Sequence, residues 1–367
     1  MSDRTTNPAL RDALARLARG QGIDEAGAAA AFGEVMEGGA PPQLVAALLM
    51  GLRARGETVD EIVGAARAIR ERALPFPVPG AGLVDTCGTG GDGAGTFNIS
   101  TAAAFVAAGG GARVAKHGNR AVSGRTGSAD VLEALGVEVG LNGPEAAAAL
   151  DHAGITFLFA PTFHAAMRHA GPVRRELGVR TVFNLLGPLC NPAGARAQLI
   201  GVFDGELVAP LAAALGRLGA SRALVVHGRD GLDELSVCAP TRVAEWDGER
   251  VREYEVEPES LGLRLRDPAE LRGGDAATNA AILRAILGGE AGAPRDVVVL
   301  NAAAALLAAG IADDLDEGLE RARASIDTGA ARARLDALVA FGRERAAARR
   351  QPVVEQPVAA SNAGWAR

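Results

Sequence analysis

A glycine-rich segment at residues 85–101 constrains the fold more than any other part of the sequence. It reads DTCGTGGDGAGTFNIST and follows a short apolar run that begins at Leu83. Closely spaced glycines let backbone N–H groups approach a ligand, and a helix that begins near Asn98 adds a dipole favourable to anions. A strand, a glycine-rich loop and a helix in this order predict an α/β layer with a phosphate-binding loop, although a tight turn with an ordinary N-cap remains the alternative.

The chain on either side of this segment divides into two kinds of pattern. Residues 8–73 predict one helix after another, with Pro8 in a first turn and Thr58 as an N-cap. From Leu74 onwards, short apolar runs alternate with helical stretches, which predicts a largely parallel sheet. The runs predicted as strands are LVDTCG, ITFLFAP, AQLIGVF, RALVVHG and DVVVLNA.

The predicted fold is therefore a small N-terminal helical domain joined to a larger α/β domain with a mostly parallel central sheet. We assign residues 1–73 to the helical domain, with residues 164–190 returning to it, because that stretch interrupts the strand pattern. Residues 74–163 and 191–345 form the predicted α/β domain. Residues 346–367 have the composition of a flexible tail.

Charge and composition exclude several kinds of partner and site. The net charge of −6 shows no basic excess for a nucleic-acid backbone, so nucleic acid is not an expected partner. The sequence has neither a signal peptide nor an apolar run of membrane-spanning length, so we expect no membrane association and a cytoplasmic location. Three widely spaced cysteines without a CxxC pair indicate neither a zinc site nor a disulfide framework.

Three further segments have residues suited to phosphate, metal or carboxylate binding. KHGNRAVSGRTGS, residues 116–128, contains the only lysine of the 38 basic residues, Lys116, on what we interpret as a glycine-punctuated loop. Adjacent carboxylates at Asp233 and Glu234 suit Mg²⁺, which takes one or two carboxylates together with phosphates and water. The Arg174–Arg175 pair is suited to a substrate carboxylate. Taken alone, the acidic pair is often no more than a solvated turn, and the arginine pair fits a helix surface better than a binding site.

Taken together and in order, these segments resemble the anthranilate phosphoribosyltransferase family over nearly the whole chain. The matching segments are GTGGD (88–92), FNIST (97–101), KHGNRAVSG (116–124), GSADVLEALG (127–136), RRELGVRTVFNLLGPLCNP (174–192) and GLDELS (231–236). The resemblance implies Mg²⁺-dependent transfer of a phosphoribosyl group from phosphoribosyl pyrophosphate to anthranilate in tryptophan biosynthesis. It also implies a homodimer formed through the helical domain.

The resemblance assigns roles to individual residues. Lys116, Asn119 and Arg174 would be catalytic. Gly88, Asn119 and Arg174 would bind anthranilate, and Ser100, Asp233 and Glu234 would hold Mg²⁺. The residues that would bind phosphoribosyl pyrophosphate are Gly88, Gly91, Asp92, Thr96, Asn98, Ile99, Ser100, Thr101, Lys116, His117, Gly118, Asn119, Arg120, Ala121, Val122, Ser123, Gly124 and Ser128.

Two departures and two alternatives accompany this interpretation. His117 and His164 would lie along the anthranilate path, but Ala165 stands where the family often has proline, and Cys190 stands where threonine is common. A pyrimidine nucleoside phosphorylase has a similar architecture and would use free phosphate, although the acidic pair favours the transferase. A non-catalytic relative that binds nucleic acid is the other alternative, and the negative net charge argues against it.

Overall fold

The computed structural model describes residues 7–121 and 126–350. Its N-terminal part consists of four consecutive helices, as the sequence predicted. They are α1 (Pro8–Leu17), α2 (Glu25–Glu37), α3 (Pro42–Arg55) and α4 (Val59–Arg70). Asp24 caps α2 by accepting a hydrogen bond from Gly27 N, and Thr58 and Glu61 form a reciprocal capping box at the start of α4.

The larger part is built on one sheet. Its strands are β1 (Leu83–Gly88), β2 (Arg113–Gly118), β3 (Ile155–Phe159), β4 (Ala197–Gly201), β5 (Arg222–Gly228), β6 (Thr241–Trp246) and β7 (Val251–Val256). They lie in the order β3-β2-β1-β4-β5-β6-β7, with β1 to β5 parallel and β6 and β7 antiparallel. The predicted mostly parallel sheet is confirmed, and the antiparallel hairpin at its edge was not predicted.

Eleven further helices lie among and after these strands within the described residues. They are α5 (Ile99–Gly109), α6 (Ser128–Leu135), α7 (Gly143–Ala153), α8 (Ala160–Phe163), α9 (Gly171–Leu177), α10 (Phe183–Leu189), α11 (Val208–Arg217), α12 (Ala276–Leu287), α13 (Ala293–Ala308), α14 (Leu315–Asp327) and α15 (Ala330–Arg350). None of the helices in this part of the chain is long and apolar enough to cross a membrane.

The structure corrects two predictions about individual elements. DVVVLNA is not a strand but part of α13, because the apolar run continues through an alanine-rich stretch to residue 308 and Pro294 opens a first helical turn. Helix α15 extends to Arg350, so residues 346–350 belong to a helix and not to the tail expected from residue 346. The rest of that expected tail, residues 351–367, lies outside the described residues.

Two apolar cores lie on opposite faces of the sheet. One core contains α5, α13 and residues such as Val84 and Leu199. The other joins the N-terminal helices to residues from α9, α10 and α11, with Ile200 and Val225 from the sheet. Residues 165–189 therefore pack on the N-terminal helices, while the division into two domains with those exact boundaries stays a prediction.

Candidate active site

The candidate site lies where the strand order of the sheet reverses direction. Strands β1 and β4 are neighbours at this point, and their chains leave the sheet in opposite directions, which opens a crevice at the carboxyl ends of the strands. Gly88 ends β1 and Gly201 ends β4. Gly201 must be glycine, because a Cβ there would lie 1.5 Å from the Asp233 carbonyl oxygen. A Cβ on Gly88 would lie 2.6 Å from Asp233 Oδ2 and would displace that side chain.

The glycine-rich loop is fastened to this crevice. Gly90 N donates to Asp233 Oδ2 at 2.7 Å, and Thr89 Oγ1 accepts from Phe203 N at 3.1 Å. Arg180, whose guanidinium lies 3.9 Å from the centre of the Phe203 ring, donates to the carbonyl oxygen of Gly91. The loop is thus held from three directions, and it meets the acidic pair as the family resemblance implied.

Three carboxylates crowd together beneath the loop. Asp92 Oδ2 accepts from Asp233 N at 3.4 Å, and buried Glu234 accepts from Ser100 N at 3.1 Å. Burial raises the pKa of Asp233, and the nearby charges of Glu234 and Asp92 raise it further. Burial also raises the pKa of Glu234, against the opposing effect of Lys116. Acidic groups whose charged forms the fold disfavours therefore lie together at this point.

Lys116 is the buried cation beside these carboxylates. Its side chain is 3% exposed, and Nζ donates to the carbonyl oxygen of Thr86 and, at 3.3 Å, to Ser100 Oγ. Burial lowers the pKa of Lys116, while the charges of Asp85 and Glu234 oppose that shift. Lys116, His117 and Gly118 end strand β2 and do not belong to the loop, which corrects the interpretation of 116–118 as loop residues.

Asp85 is a buried charged residue that the sequence analysis missed. Its Oδ1 accepts from His117 N at 3.1 Å and its Oδ2 from Asn191 Nδ2 at 2.7 Å, and the same amide donates to the carbonyl oxygen of Ala115 at 2.8 Å. These contacts tie β1 and β2 to the NP turn after α10. A carboxylate inside an otherwise apolar strand was the signal that could have identified it.

The second predicted binding segment begins at the end of β2. Asn119 is exposed, and its carbonyl oxygen accepts from Ser128 Oγ at 3.2 Å. Arg120 is turned towards α6, where Glu133 accepts two hydrogen bonds from it at 2.6 Å. Ala121 follows on the surface. Val122, Ser123 and Gly124, which were also predicted to bind the donor, lie outside the described residues.

The remaining predicted donor ligands divide between the crevice and the core. Ser100 faces Lys116 and Glu234, and Asn98 Nδ2 donates to the carbonyl oxygen of Thr126 at 3.2 Å. Thr96 bridges to Arg272 beside the loop. Ile99 is buried, and Thr101 lines a small internal cavity with its hydroxyl unpaired, so neither side chain is aimed at the loop.

The structure places His117 and His164 against each other, and Arg174 lies in α9. The rings of His117 and His164 stand edge to face with centres 5.2 Å apart, and each has one nitrogen bonded to a backbone carbonyl and the other buried without a partner. Burial lowers the pKa of His117 to about 3 and also lowers that of His164. Arg174 lies over the Phe183 ring at 5.0 Å, and burial lowers its pKa.

The donor set fits a hard divalent cation. Asp233, Glu234 and the Ser100 hydroxyl would supply oxygen ligands, and a cation there would offset the burial and the repulsion that raise both carboxylate pKa values. Within the described ranges, no group of three His, Cys, Asp or Glu side chains is arranged as a complete metal site. Mg²⁺ takes much of its coordination from phosphates and water, so two carboxylates and a hydroxyl would be enough to anchor it.

Comparison with known proteins defines the class. Residues 11–73 match the helical bundle domain of a glycosyl transferase family, and residues 80–332 match its α/β domain. The protein is therefore a glycosyltransferase with these two domains. Relatives that are 54–56% identical over at least 90% of the chain show that it belongs to the anthranilate phosphoribosyltransferase family, as the sequence motifs predicted. The resemblance extends over nearly all of the chain.

Individual relatives support the assignment. An anthranilate phosphoribosyltransferase from Rubrobacter xylanophilus is 56% identical over 92% of this chain and 98% of its own. The crystal structure of the enzyme from Thermus thermophilus has a TM-score of 0.86 at 49% identity and covers 90% of this chain and 99% of that one. The Saccharomyces cerevisiae enzyme, solved with phosphoribosyl pyrophosphate and Mg, has a TM-score of 0.83 at 27% identity, covering 93% and 100%.

Proposed function

We propose that this glycosyltransferase moves the phosphoribosyl group of phosphoribosyl pyrophosphate onto the amine of anthranilate, releasing pyrophosphate, as a step of tryptophan biosynthesis. One set of contacts carries the proposal. The glycine-rich loop, Ser100, Lys116 and the acidic pair meet in a single crevice, through the Gly90–Asp233, Ser100–Glu234 and Lys116–Ser100 hydrogen bonds. A diphosphate chelated to a divalent metal needs hydrogen-bond donors and a positively charged side chain for the phosphates, and carboxylates for the metal.

The donor side stabilises a leaving group. Backbone N–H groups of the glycine-rich loop and the Lys116 ammonium lie where negative charge develops as pyrophosphate departs. Mg²⁺, held by Ser100, Asp233 and Glu234, would supply Lewis-acid stabilisation of that charge when bound. The ribose carbon then gains oxocarbenium character, and a weakly nucleophilic aromatic amine suffices to attack it. Catalysis is mostly positioning, and no covalent nucleophile is required.

The acceptor side is assembled by α9, α10 and the end of β2. Arg174 meets the carboxylate of anthranilate, and the Phe183 ring beneath its guanidinium fixes the direction of that fork. His117 and His164 stay neutral because burial lowers their pKa values, so they form an uncharged wall for an aromatic ring. Gly88 and Asn119 border both substrates.

Two further assignments rest on the family resemblance. The N-terminal helices form the interface of a homodimer, and the enzyme acts in the cytoplasm. Sedimentation of the purified protein tests the first assignment, with a monomer at micromolar concentration as the contrary result. Fractionation of cells tests the second.

One assay tests the reaction. Anthranilate fluorescence is followed after phosphoribosyl pyrophosphate and Mg²⁺ are added, and we expect loss of the signal with stoichiometric release of pyrophosphate. The same protein is offered thymidine with inorganic phosphate, the substrates of the alternative phosphorylase, and single-stranded DNA at several salt concentrations. Consumption of phosphate with thymidine, or salt-sensitive DNA binding without any turnover, contradicts the proposal.

Arg174→Ala tests the acceptor side separately. Removing the guanidinium should raise KM for anthranilate at least tenfold and leave KM for the donor within about twofold, because a charged hydrogen bond contributes about 1.5–3 kcal/mol. Arg175→Ala is the matched control, since Arg175 is an exposed neighbour on the same helix. Equal effects of Arg174→Ala on both substrates would remove Arg174 from the acceptor pocket.

A further inference from the structure

The described residues at the end of β2 and at the start of α6 lie against each other. Asn119 lies at one end and Ser128 at the other, and the carbonyl oxygen of Asn119 accepts from Ser128 Oγ and from Ala129 N, both at 3.2 Å. Gly127 lies so close to the opposite end that a Cβ would be 2.4 Å from Ala121 N. The two ends are therefore in direct backbone contact, and any loosening would separate residues assigned to the donor.

One side chain bonds to both ends. Asp130, in the first turn of α6, accepts at Oδ2 from Ala121 N at 3.1 Å and from Gly127 N at 2.9 Å. Its other oxygen, Oδ1, accepts from Arg120 Nη1 at 3.0 Å. Burial by itself would raise the pKa of Asp130, but the hydrogen bonds from Gly127, Ala121 and Arg120 lower it, so the carboxylate is ionised and compensated.

A second carboxylate on α6 provides a natural contrast. Glu133 accepts two hydrogen bonds from the Arg120 guanidinium at 2.6 Å. Its recorded contacts go to the Arg120 side chain, whereas Asp130 also holds the backbone at Ala121 and Gly127. The two carboxylates share the arginine, so an effect of Asp130 alone must come from the ends of the segment.

We propose that Asp130 is a positioning residue for the phosphoribosyl pyrophosphate donor: it holds the two ends of the segment together so that Asn119 and Ser128 face the crevice as one unit. This inference rests on the proposed function, because it assumes that Asn119 and Ser128 bind the donor. Asp130 itself does not touch the donor. Its carboxylate is neutralised by two N–H groups and a guanidinium, which makes it tolerable beside phosphates.

Steady-state kinetics with three variants test the inference. Asp130→Ala should raise KM for phosphoribosyl pyrophosphate about tenfold to hundredfold, as expected when charged hydrogen bonds are lost, with KM for anthranilate within about twofold. Asp130→Asn keeps one acceptor oxygen and should recover part of the loss. Glu133→Gln should stay within about twofold of wild type. Equal donor KM values for Asp130→Ala and Glu133→Gln would overturn the inference.

Hydrogen exchange gives a readout that does not depend on turnover. In folded Asp130→Ala protein, the amides of Ala121 and Gly127 should exchange at least tenfold faster, while Glu133→Gln leaves them unchanged. Unchanged exchange in Asp130→Ala refutes the positioning role of Asp130 even if the kinetic constants change. Wild-type protein without transferase activity refutes the proposed function, and the exchange experiment still decides the role of Asp130. If Asp130→Ala does not fold, Asp130→Asn gives both measurements.

Discussion

The helical part and the α/β part of the chain each bury a glutamate, and the two sites differ in how they are compensated. Glu61 is 0% exposed in α4 and accepts hydrogen bonds from Ile23 N and Thr58 N, both at 2.9 Å. The guanidinium of Arg55 forms an ion pair with it. Every oxygen is satisfied, and the carboxylate joins three segments of the helical bundle.

Glu234 is nearly as buried, at 7% exposed, but its neighbours are different. It accepts from Ser100 N, while the adjacent carboxylates of Asp233 and Asp92 add negative charge. Lys116 is close enough to oppose the rise in the pKa of Glu234, but its ammonium group donates hydrogen bonds to Thr86 and Ser100. Within the described part of the chain, Glu234 forms no ion pair at salt-bridge distance.

We expect this difference between a carboxylate with a structural role and one that would hold a cation. A buried charge is tolerated when donors and a counter-charge satisfy it, and it is costly otherwise. The helical site is complete without any ligand. The α/β site brings three acidic groups together at the point where a glycine-rich loop offers N–H groups to a phosphate, and this combination suits a magnesium diphosphate.

The largest expected effect separates the cations of the two sites. Lys116→Ala should lower kcat by about 10²–10³, the usual cost of removing one donor that stabilises developing charge. Arg55→Ala, which removes the cation beside Glu61, should leave kcat within about twofold while lowering the melting temperature. Turnover of folded Lys116→Ala near the wild-type rate would end the distinction between the two sites.

The next effect concerns the metal. The double variant Asp233→Asn with Glu234→Gln should raise the Mg²⁺ concentration for half-maximal activity about tenfold to hundredfold, because neutral ligands bind a hard cation weakly. Glu61→Gln is the matched control and should leave the Mg²⁺ titration unchanged. An unchanged titration in the double variant would count against the metal assignment.

Sequence reasoning predicted the general fold and the motif positions for physical reasons. Helical spacing and capping residues such as Thr58 are local signals, and they are enough to place four helices. The loop at 88–95 is also local, because glycines mark positive φ angles at Gly90 and Gly91. DVVVLNA failed because a short buried run has the same pattern in a strand and in a helix, and only its continuation decides.

The sequence alone could not show which residues far apart in the chain form hydrogen bonds in the folded protein. Asp85 and Asn191 are far apart in the chain, and their hydrogen bond exists only once β1 and the turn after α10 are packed together. Arg180 reaches Gly91 across a comparable separation. The meeting of the loop with Asp233 was predicted only through the family resemblance, because no local signal specifies it.

A smaller effect contrasts the two glutamates in stability. Glu61→Gln should lower the free energy of unfolding by about 2–3 kcal/mol, since it breaks a buried ion pair and hydrogen bonds to a charged group. Glu234→Gln in metal-free protein should cost less than about 1 kcal/mol or stabilise, because its raised pKa means that the fold already disfavours its charge. Chemical denaturation at pH 7.5 with a metal chelator measures both. Equal losses would mean that both glutamates are structural.

The smallest effect concerns His117, which is buried with one ring nitrogen unpaired and a pKa lowered to about 3. In the unfolded chain the pKa is about 6.5, so between these values the unfolded state binds the extra proton. The stability that neutral His117 contributes is therefore present above pH 6.5 and lost as the pH falls. Between pH 7 and pH 5.5 the loss is about 1 kcal/mol.

His117→Gln should remove this part of the acid sensitivity, so its unfolding free energy changes less than that of wild type over the same interval. Identical changes in both proteins would mean that protonation of His117 is not coupled to unfolding. The unpaired ring nitrogen of His117 would then not distinguish this residue from the rest of the buried core.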